Sequence, residues 1–424
     1  MIMLRKFLQI FKIPDLRNKI FFVLTMLAIF RLAATIPIPG VDIERLRLFF
    51  GSNQFFGLLN IFSGGALDNL SIVMLGVGPY ITGSIIMQLL TMIFPRFKEL
   101  YYEEGEAGRQ RFNQYSRLLT VPLALLQAFG LMMLLIRQQV LAPLSYFDLG
   151  INMIAVTAGS MLLMWLGELI TEKGIGNGIS LLIFAGIVSS LPQVIRQLYL
   201  TFDVSQIPTL VAFAAVALVV ITAVVFITEA ERPIPVSYAK RVRGTRVYGG
   251  VSTYLPLRVN QAGVIPIIFA LSIILFPTLI GSFLSGVDNP TIRTISSFLI
   301  NFTSNQLLYG VLYFVFVFLF TYFYTAVTFD PNEIATNLQK QGGFVPGIRP
   351  GPPTAALLAH TLNRITLFGA LFLGLVAVLP LIIQQASGIS ALAIGGTSLL
   401  IVVSVVLETV KQIEGQLAMR EYEI

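Results

Sequence analysis

Apolar residues run along this chain in ten long blocks separated by polar connections: Phe21–Ile38, Ser71–Phe94, Leu118–Ile136, Ile151–Ile170, Ile179–Ile195, Ile207–Ile227, Gly263–Leu284, Leu307–Phe329, Ile365–Ile383 and Ile389–Val410. Each comes near the roughly 20 residues that a helix needs to cross the hydrocarbon core of a bilayer. Helices are the expected form, because backbone groups in lipid must be satisfied within the segment. The blocks also lack the ten-residue alternation of an outer-membrane barrel. The pattern predicts an all-α polytopic membrane protein with ten transmembrane helices. One stretch is irregular. "FSGGALDNLSIVMLGVGPYITGSIIMQLLTMIF", Phe62–Phe94, opens with glycines, Asp68 and Asn69 and carries "GVGP" before it becomes uniformly apolar.

Composition leads the same way. Of 424 residues, 56% are hydrophobic and 12% charged, and the mean hydropathy of +0.83 is too high for a water-soluble fold. Cysteine is absent, which removes disulfides and thiolate metal sites. The single histidine, His360, falls in a loop-like region with no ligand spacing around it, so neither a catalytic metal nor a cofactor is expected. The opening "MIMLRKFLQIFKIPDLRNK" offers no small-residue cleavage site and reads as a retained head. With that head inside, 22 of the 28 Lys and Arg fall on one side, five on the other, and Arg31 within the first block. The excess of basic residues predicts that both termini are cytoplasmic.

Two connections on the basic side are long. Glu231–Asn260 alternates β-branched and aromatic residues around Gly244 and Gly249, which predicts a small projecting hairpin. Its Lys240, Arg241, Arg243 and Arg246 form a patch suited to phosphate or acidic protein surfaces. The other, Phe329–Ile365, carries Gly and Pro turn signals. Five blocks precede a connection near Leu198–Gln206 and five follow it, so a split into 1–200 and 201–424 makes the second half topologically inverted, two pseudo-symmetric halves of five. That plan also suits a secondary transporter, the rival reading. A transporter, however, holds charged or strongly polar groups at mid-membrane, whereas Arg31 and Glu168 lie near block ends and are expected to snorkel. An intramembrane protease would need a catalytic pair within the blocks, and none is present; neither is a phosphate-binding GxxxxGK[ST] loop.

Specific strings narrow the choice. "PIPG" (37–40), "NIFSGGAL" (60–67), "PYITGSIIMQLL" (79–90), "MWLGELITEKGIGNGISLLIFAGIV" (164–188), "LPLRVNQAGVIPIIFA" (255–270), "GGFVPGIRPG" (342–351) and "GGTSLLIVV" (395–403) stand in one order along the chain. Together they closely resemble the SecY/Sec61-alpha family, central channel subunits of protein translocases. The resemblance runs from about Asp15 to Val410, and the short tail, which closes with "AMREYEI", lacks the basic extension of some members. It implies a protein-conducting channel that passes unfolded secretory polypeptides across the plasma membrane and releases signal and transmembrane helices sideways into lipid, with no catalytic residues of its own.

The resemblance also implies roles for particular residues. Phe62, Ser63, Gly64, Gly65, Ala66, Leu67, Asp68, Asn69, Leu70 and Ser71 match the plug, a short half-helix before span two. Val77, Ile81, Ile179, Ile183, Ile268 and Ile401 match an aliphatic pore ring, which can seal by dewetting without offering hydrogen bonds to a passing chain. Thr82, Gln127 and Asn260 match polar positions that meet at a lateral gate. Arg349 matches a docking position for a partner, joining Lys240, Arg241, Arg243 and Arg246. Implied partners are the small membrane subunits SecE and SecG, the SecA motor ATPase, the ribosome, signal peptides with their nascent chains, and the lipid bilayer.

Overall fold

The computed structural model describes residues 13–39, 63, 66–67, 70–102, 104–137, 141, 144–200, 207–238, 241–243, 246–248, 252–284, 289–301, 306–387 and 390–421. In chain order the helices are α1 (Pro14–Ala33), α2 (Gly78–Ile93), α3 (Pro95–Tyr102), α4 (Gly105–Arg137), α5 (Tyr146–Lys173), α6 (Gly178–Leu200) and α7 (Ile207–Glu229). Strands β1 (Glu231–Tyr238), β2 (Arg241–Arg243), β3 (Arg246–Tyr248) and β4 (Ser252–Arg258) follow. The chain continues with α8 (Ile265–Leu284), α9 (Pro290–Asn301), α10 (Gln306–Thr328), α11 (Pro331–Lys340), β5 (Gly343–Phe344), α12 (Pro352–Ser387) and α13 (Ser390–Glu421).

Each of the ten apolar blocks overlaps a helix. Four stretches, Gly105–Ile136, Tyr146–Lys173, Leu307–Lys340 and Pro352–Ile383, are long and apolar enough to cross a membrane by length and composition alone, and Gly78–Ile93 and Gly178–Pro192 are shorter apolar helices. Several helices outrun their blocks. α4 begins at Gly105 and not Leu118, α12 at Pro352 and not Ile365, and α13 continues past Val410 to Glu421. Hydropathy marks the stretch that suits lipid, while backbone hydrogen bonding carries a helix on into water as long as one face stays packed. α1 does the opposite and ends at Ala33, short of Ile38, because "IPIPG" supplies two prolines in quick succession.

Side-chain pairs sort the helix ends. Arg117 near the start of α4 donates to Glu168 near the end of α5 at 2.7 Å, and Lys411 late in α13 pairs with Glu229 at the end of α7 at 2.9 Å. Leu16, Ile175 and Leu417 form a small core at that same end. At the other end, Ile38, Leu131, Met132, Leu135, Leu141 and Leu149 form a second core. Between them lies the main core, built from α1, α2, α5, α6, α7, α8, α10, α12 and α13.

The expected hairpin is present and belongs to something larger. β1 pairs antiparallel with β4 from Glu231↔Arg258 to Ser237↔Ser252, and β2 with β3 at the tip. β1 also pairs with β5, through Ser237↔Phe344 and Tyr238↔Gly343, so the two long connections share one sheet of order β4-β1-β5. Ile234, Leu257, Val345 and Leu358 close its apolar underside. Phe329–Ile365 is thus not a plain loop. Asp330 caps α11 by accepting from the backbone of Asn332 (2.8 Å) and Glu333 (3.4 Å), with Pro331 at the first helical position, a start signal present in "DPNE". His360, expected in a loop, lies exposed on α12.

Candidate functional site

The "GIGNGIS" turn sets the geometry of the site. Gly176 takes φ +91, a left-handed value that favours glycine, and Asn177 then caps α6 by accepting from the backbone N–H of Ser180 at 3.2 Å. At Gly178 a side chain would overlap the carbonyl of Gly167, so α6 starts flush against α5. Thr171 reinforces the contact, accepting from the Gly178 N–H at 2.9 Å. From this start, Ile179 and Ile183 share one face of α6.

Val77 and Ile81 come from the start of α2, Ile268 from α8 and Ile401 from α13. Val77, Ile81, Ile183, Ile268 and Ile401 are all buried members of the main core, and Ile179 packs against it half-buried. Residues spread over more than 300 positions thereby join one hydrocarbon cluster. Above it opens a cleft of about 520 Å³, lined by Tyr80, Ser84, Gln88, Glu106, Asn113, Arg117, Glu168, Glu172, Asn177 and Ser180, with Ile81, Ile179 and Ile268 also on its wall. This vestibule carries charged and amide groups on part of its wall and branched hydrocarbon on the rest, and the isoleucines give entering water no partner. Glu168, expected to snorkel, is instead held in this vestibule by Arg117. Both residues are visible in the sequence; their pairing is not, because they come from different helices.

Of the plug positions, Ser63, Ala66, Leu67, Leu70 and Ser71 are described, whereas Phe62, Gly64, Gly65, Asp68 and Asn69 lie outside the described residues. Ala66 packs into the main core, and Leu67 and Leu70 into the second core. Ser63 Oγ accepts from the Leu67 N–H at 3.1 Å. Ser71 pairs with Pro37 in an isolated antiparallel bridge, flanked by Ile38 N–H to Leu70 O (2.9 Å) and Ile72 N–H to Ile36 O (3.0 Å). Leu70 holds φ +39, a strained value for a branched side chain, and its complete burial in the second core keeps it there.

The three polar seam residues do not form a hydrogen-bonded cluster. Thr82 donates to Gly78 O of its own helix at 3.0 Å, and Asn260 donates to Gly263 O at 3.2 Å, each within its own segment. A helical threonine ordinarily donates its hydroxyl proton this way, which leaves it no proton to offer across the seam. Buried Gln127 lies on α4, which packs directly against α8, as α2 does. At the sheet end, Arg349 is exposed in the turn between Gly347 (φ +84) and Gly351 (φ +96), its carbonyl accepting from Thr354 Oγ at 2.9 Å. Arg241, Arg243 and Arg246 lie on β2 and β3, and Lys240 outside the described residues.

The sequence profile of the SecY family matches residues 71–410. The chain belongs to the SecY family. It is 48% identical over 438 residues to the protein translocase subunit SecY of Corynebacterium glutamicum, with 98% of each chain covered. To that of Streptomyces galbus it is 45% identical over 441 residues, with 99% of each covered. Its fold is similar to a solved structure of a protein conducting channel, with TM-score 0.64 at 19% identity over 92% of this chain and 90% of that one. It is likewise similar to Sec61 in a canine ribosome-channel complex from the endoplasmic reticulum, with TM-score 0.61 at 20% identity and the same coverage. The SecY-family fold is that of a polytopic helical membrane protein, and this chain shares it.

Proposed function

We propose that this chain is the channel subunit of a plasma-membrane protein translocase, with ten membrane spans and both termini cytoplasmic. It passes unfolded secretory polypeptides across the bilayer and releases signal and transmembrane helices into lipid between α2 and α4 on one side and α8 and α10 on the other. The observation that carries the reading is the cleft whose wall holds charged and amide groups together with Ile81, Ile179 and Ile268, side chains of the same apolar core as Val77, Ile183 and Ile401. That ring is the pore's seal, and the segment from Phe62 to Ser71 is the plug beneath it. Residues 1–200 and 201–424 act as two inverted halves, α6 ending the first and α7 beginning the second.

The channel does no chemistry itself. Work comes from SecA or from a translating ribosome, docking on the sheet shared by the two long connections through Arg349, Lys240, Arg241, Arg243 and Arg246. SecE and SecG complete the complex, and signal peptides open it. A solute transporter would bind its cargo with polar groups at the midplane, whereas three of the six ring positions, Ile81, Ile179 and Ile268, put branched hydrocarbon on the cleft wall here. Reconstitution into proteoliposomes decides between them: motor-driven translocation of a secretory precursor without small-solute uptake is expected, and solute uptake without translocation overturns the reading.

A further inference from the structure

Hydroxyls on these helices keep mostly to themselves. Thr25, Thr82, Ser116, Thr120, Thr222, Thr321, Thr325 and Thr409 each donate to the carbonyl four residues earlier in their own helix. Ser160 on α5 does not. Its Oγ donates across 84 positions to the carbonyl of Gly76, at 2.6 Å and in a buried setting. The acceptor is the one left-handed glycine in the run of tight turns between the plug and α2, where Met74 bonds back to Ser71, Gly76 to Val73 and Gly78 to Leu75.

The residue before Ser160 closes on the same segment. A methyl group on Gly159 would overlap the carbonyl oxygen of Ile72, so α5 presses its backbone against residues 71–77, the exit segment that leads from the plug to α2, at 72 while it hydrogen-bonds it at 76. Residues 71–77 are therefore clamped on two sides: by the Pro37–Ser71 bridge to the segment that follows α1, and by Gly159–Ser160 of α5. A run of turns has little cooperative hydrogen bonding of its own to hold a position, so its placement depends on such outside contacts.

We infer that Gly159 and Ser160 are positioning residues for the seal: they fix the exit segment against α5 and so hold the plug under the aliphatic ring. They act through the segment they clamp, Ser160 holding the carbonyl of the peptide bond that leads into Val77. The inference rests on the plug reading given above, and the test separates the two. Ion conductance of the reconstituted channel in planar bilayers is compared for wild type, deletion of residues 62–71, Ser160→Ala and Gly159→Ala. Ser160→Ala removes one oxygen and no methylene, and it is expected to raise open probability about five- to tenfold, the factor that one buried hydrogen bond of ordinary net strength sets.

The bridge supplies a rescue. Pro37 and Ser71 form a non-hydrogen-bonded antiparallel pair, whose Cα atoms stand about 4.5 Å apart, within the range a disulfide spans. The chain has no cysteine, so Pro37→Cys with Ser71→Cys gives a single possible bridge. In the Ser160→Ala background, oxidation of that pair is expected to restore the tight state and reduction to release it. Merely structural damage to α5 would not respond to redox in this way. A Ser160→Ala channel as tight as wild type while the deletion leaks overturns the inference and leaves the plug intact, as does a leak that oxidation fails to close. A deletion as tight as wild type sinks the plug reading, and the inference with it.

Discussion

Replacing Ile183, Ile268 and Ile401 together with serine tests the seal most directly. These side chains retain 1%, 4% and 1% of their exposure. Keeping one such isoleucine from water is worth about 2 kcal/mol, and the methylene that serine retains returns roughly 0.8 kcal/mol of it, so three replacements forfeit about 4 kcal/mol. Because each 1.4 kcal/mol is tenfold, the ratio of dry to hydrated neck falls by on the order of a thousand. The three hydroxyls push the same way, since in a dry neck they lack partners and in a wet one they find them. Conductance in planar bilayers reads the change. The controls carry serine at Leu218 and Leu319, which are 67% and 54% exposed on the outer faces of α7 and α10. A triple variant no leakier than those controls would show that the three side chains do not line a common neck.

Other expectations follow from the vestibule, the packing and the sheet. Arg117→Ala or Glu168→Gln should lower the melting temperature only slightly, because the pair is 46% and 21% exposed and such pairs are worth about 1 kcal/mol or less; a loss several times larger in thermal unfolding would mean that the pair is a buried strut. Gly178→Ala should be far costlier, about 2 to 4 kcal/mol, since its methyl overlaps the Gly167 carbonyl and must push α6 from α5; an unchanged melting curve would contradict the close approach. Charge reversal at Arg349, or at Arg243 with Arg246, should weaken motor-driven translocation with a steep dependence on salt and leave the fold intact. Equal translocation across salt concentrations would reduce these arginines to topology signals. Cysteine at Ser237, in the shared sheet, should react with an impermeant thiol reagent added from the cytoplasmic side only, and labelling from outside would invert the topology.

Solvent, helices and family could all be read from the amino-acid pattern. A hydrocarbon medium leaves a backbone few options, so ten apolar blocks are enough to locate ten helices, and the hairpin followed from its local alternation and glycines. Strings such as "GIGNGIS" and "GGFVPGIRPG" carried the family because their glycines sit where φ is positive or where backbones touch, at 176, 178, 342, 347 and 351. What crosses between distant segments was legible only in the tertiary structure. Strand pairing of β1 with β5 depends on a two-residue strand with no pattern of its own. The Arg117–Glu168 pair joins charges whose sequence surroundings indicated only membrane edges. Thr82 and Asn260 turned to their own backbones, an outcome decided by local geometry that residue type does not reveal. Ser160 looks like any small residue in an apolar helix, and only the fold of residues 71–77 against α5 gives its hydroxyl a carbonyl to hold. Local physics writes periodicity into a sequence, whereas a contact between residues far apart leaves no mark on either residue alone.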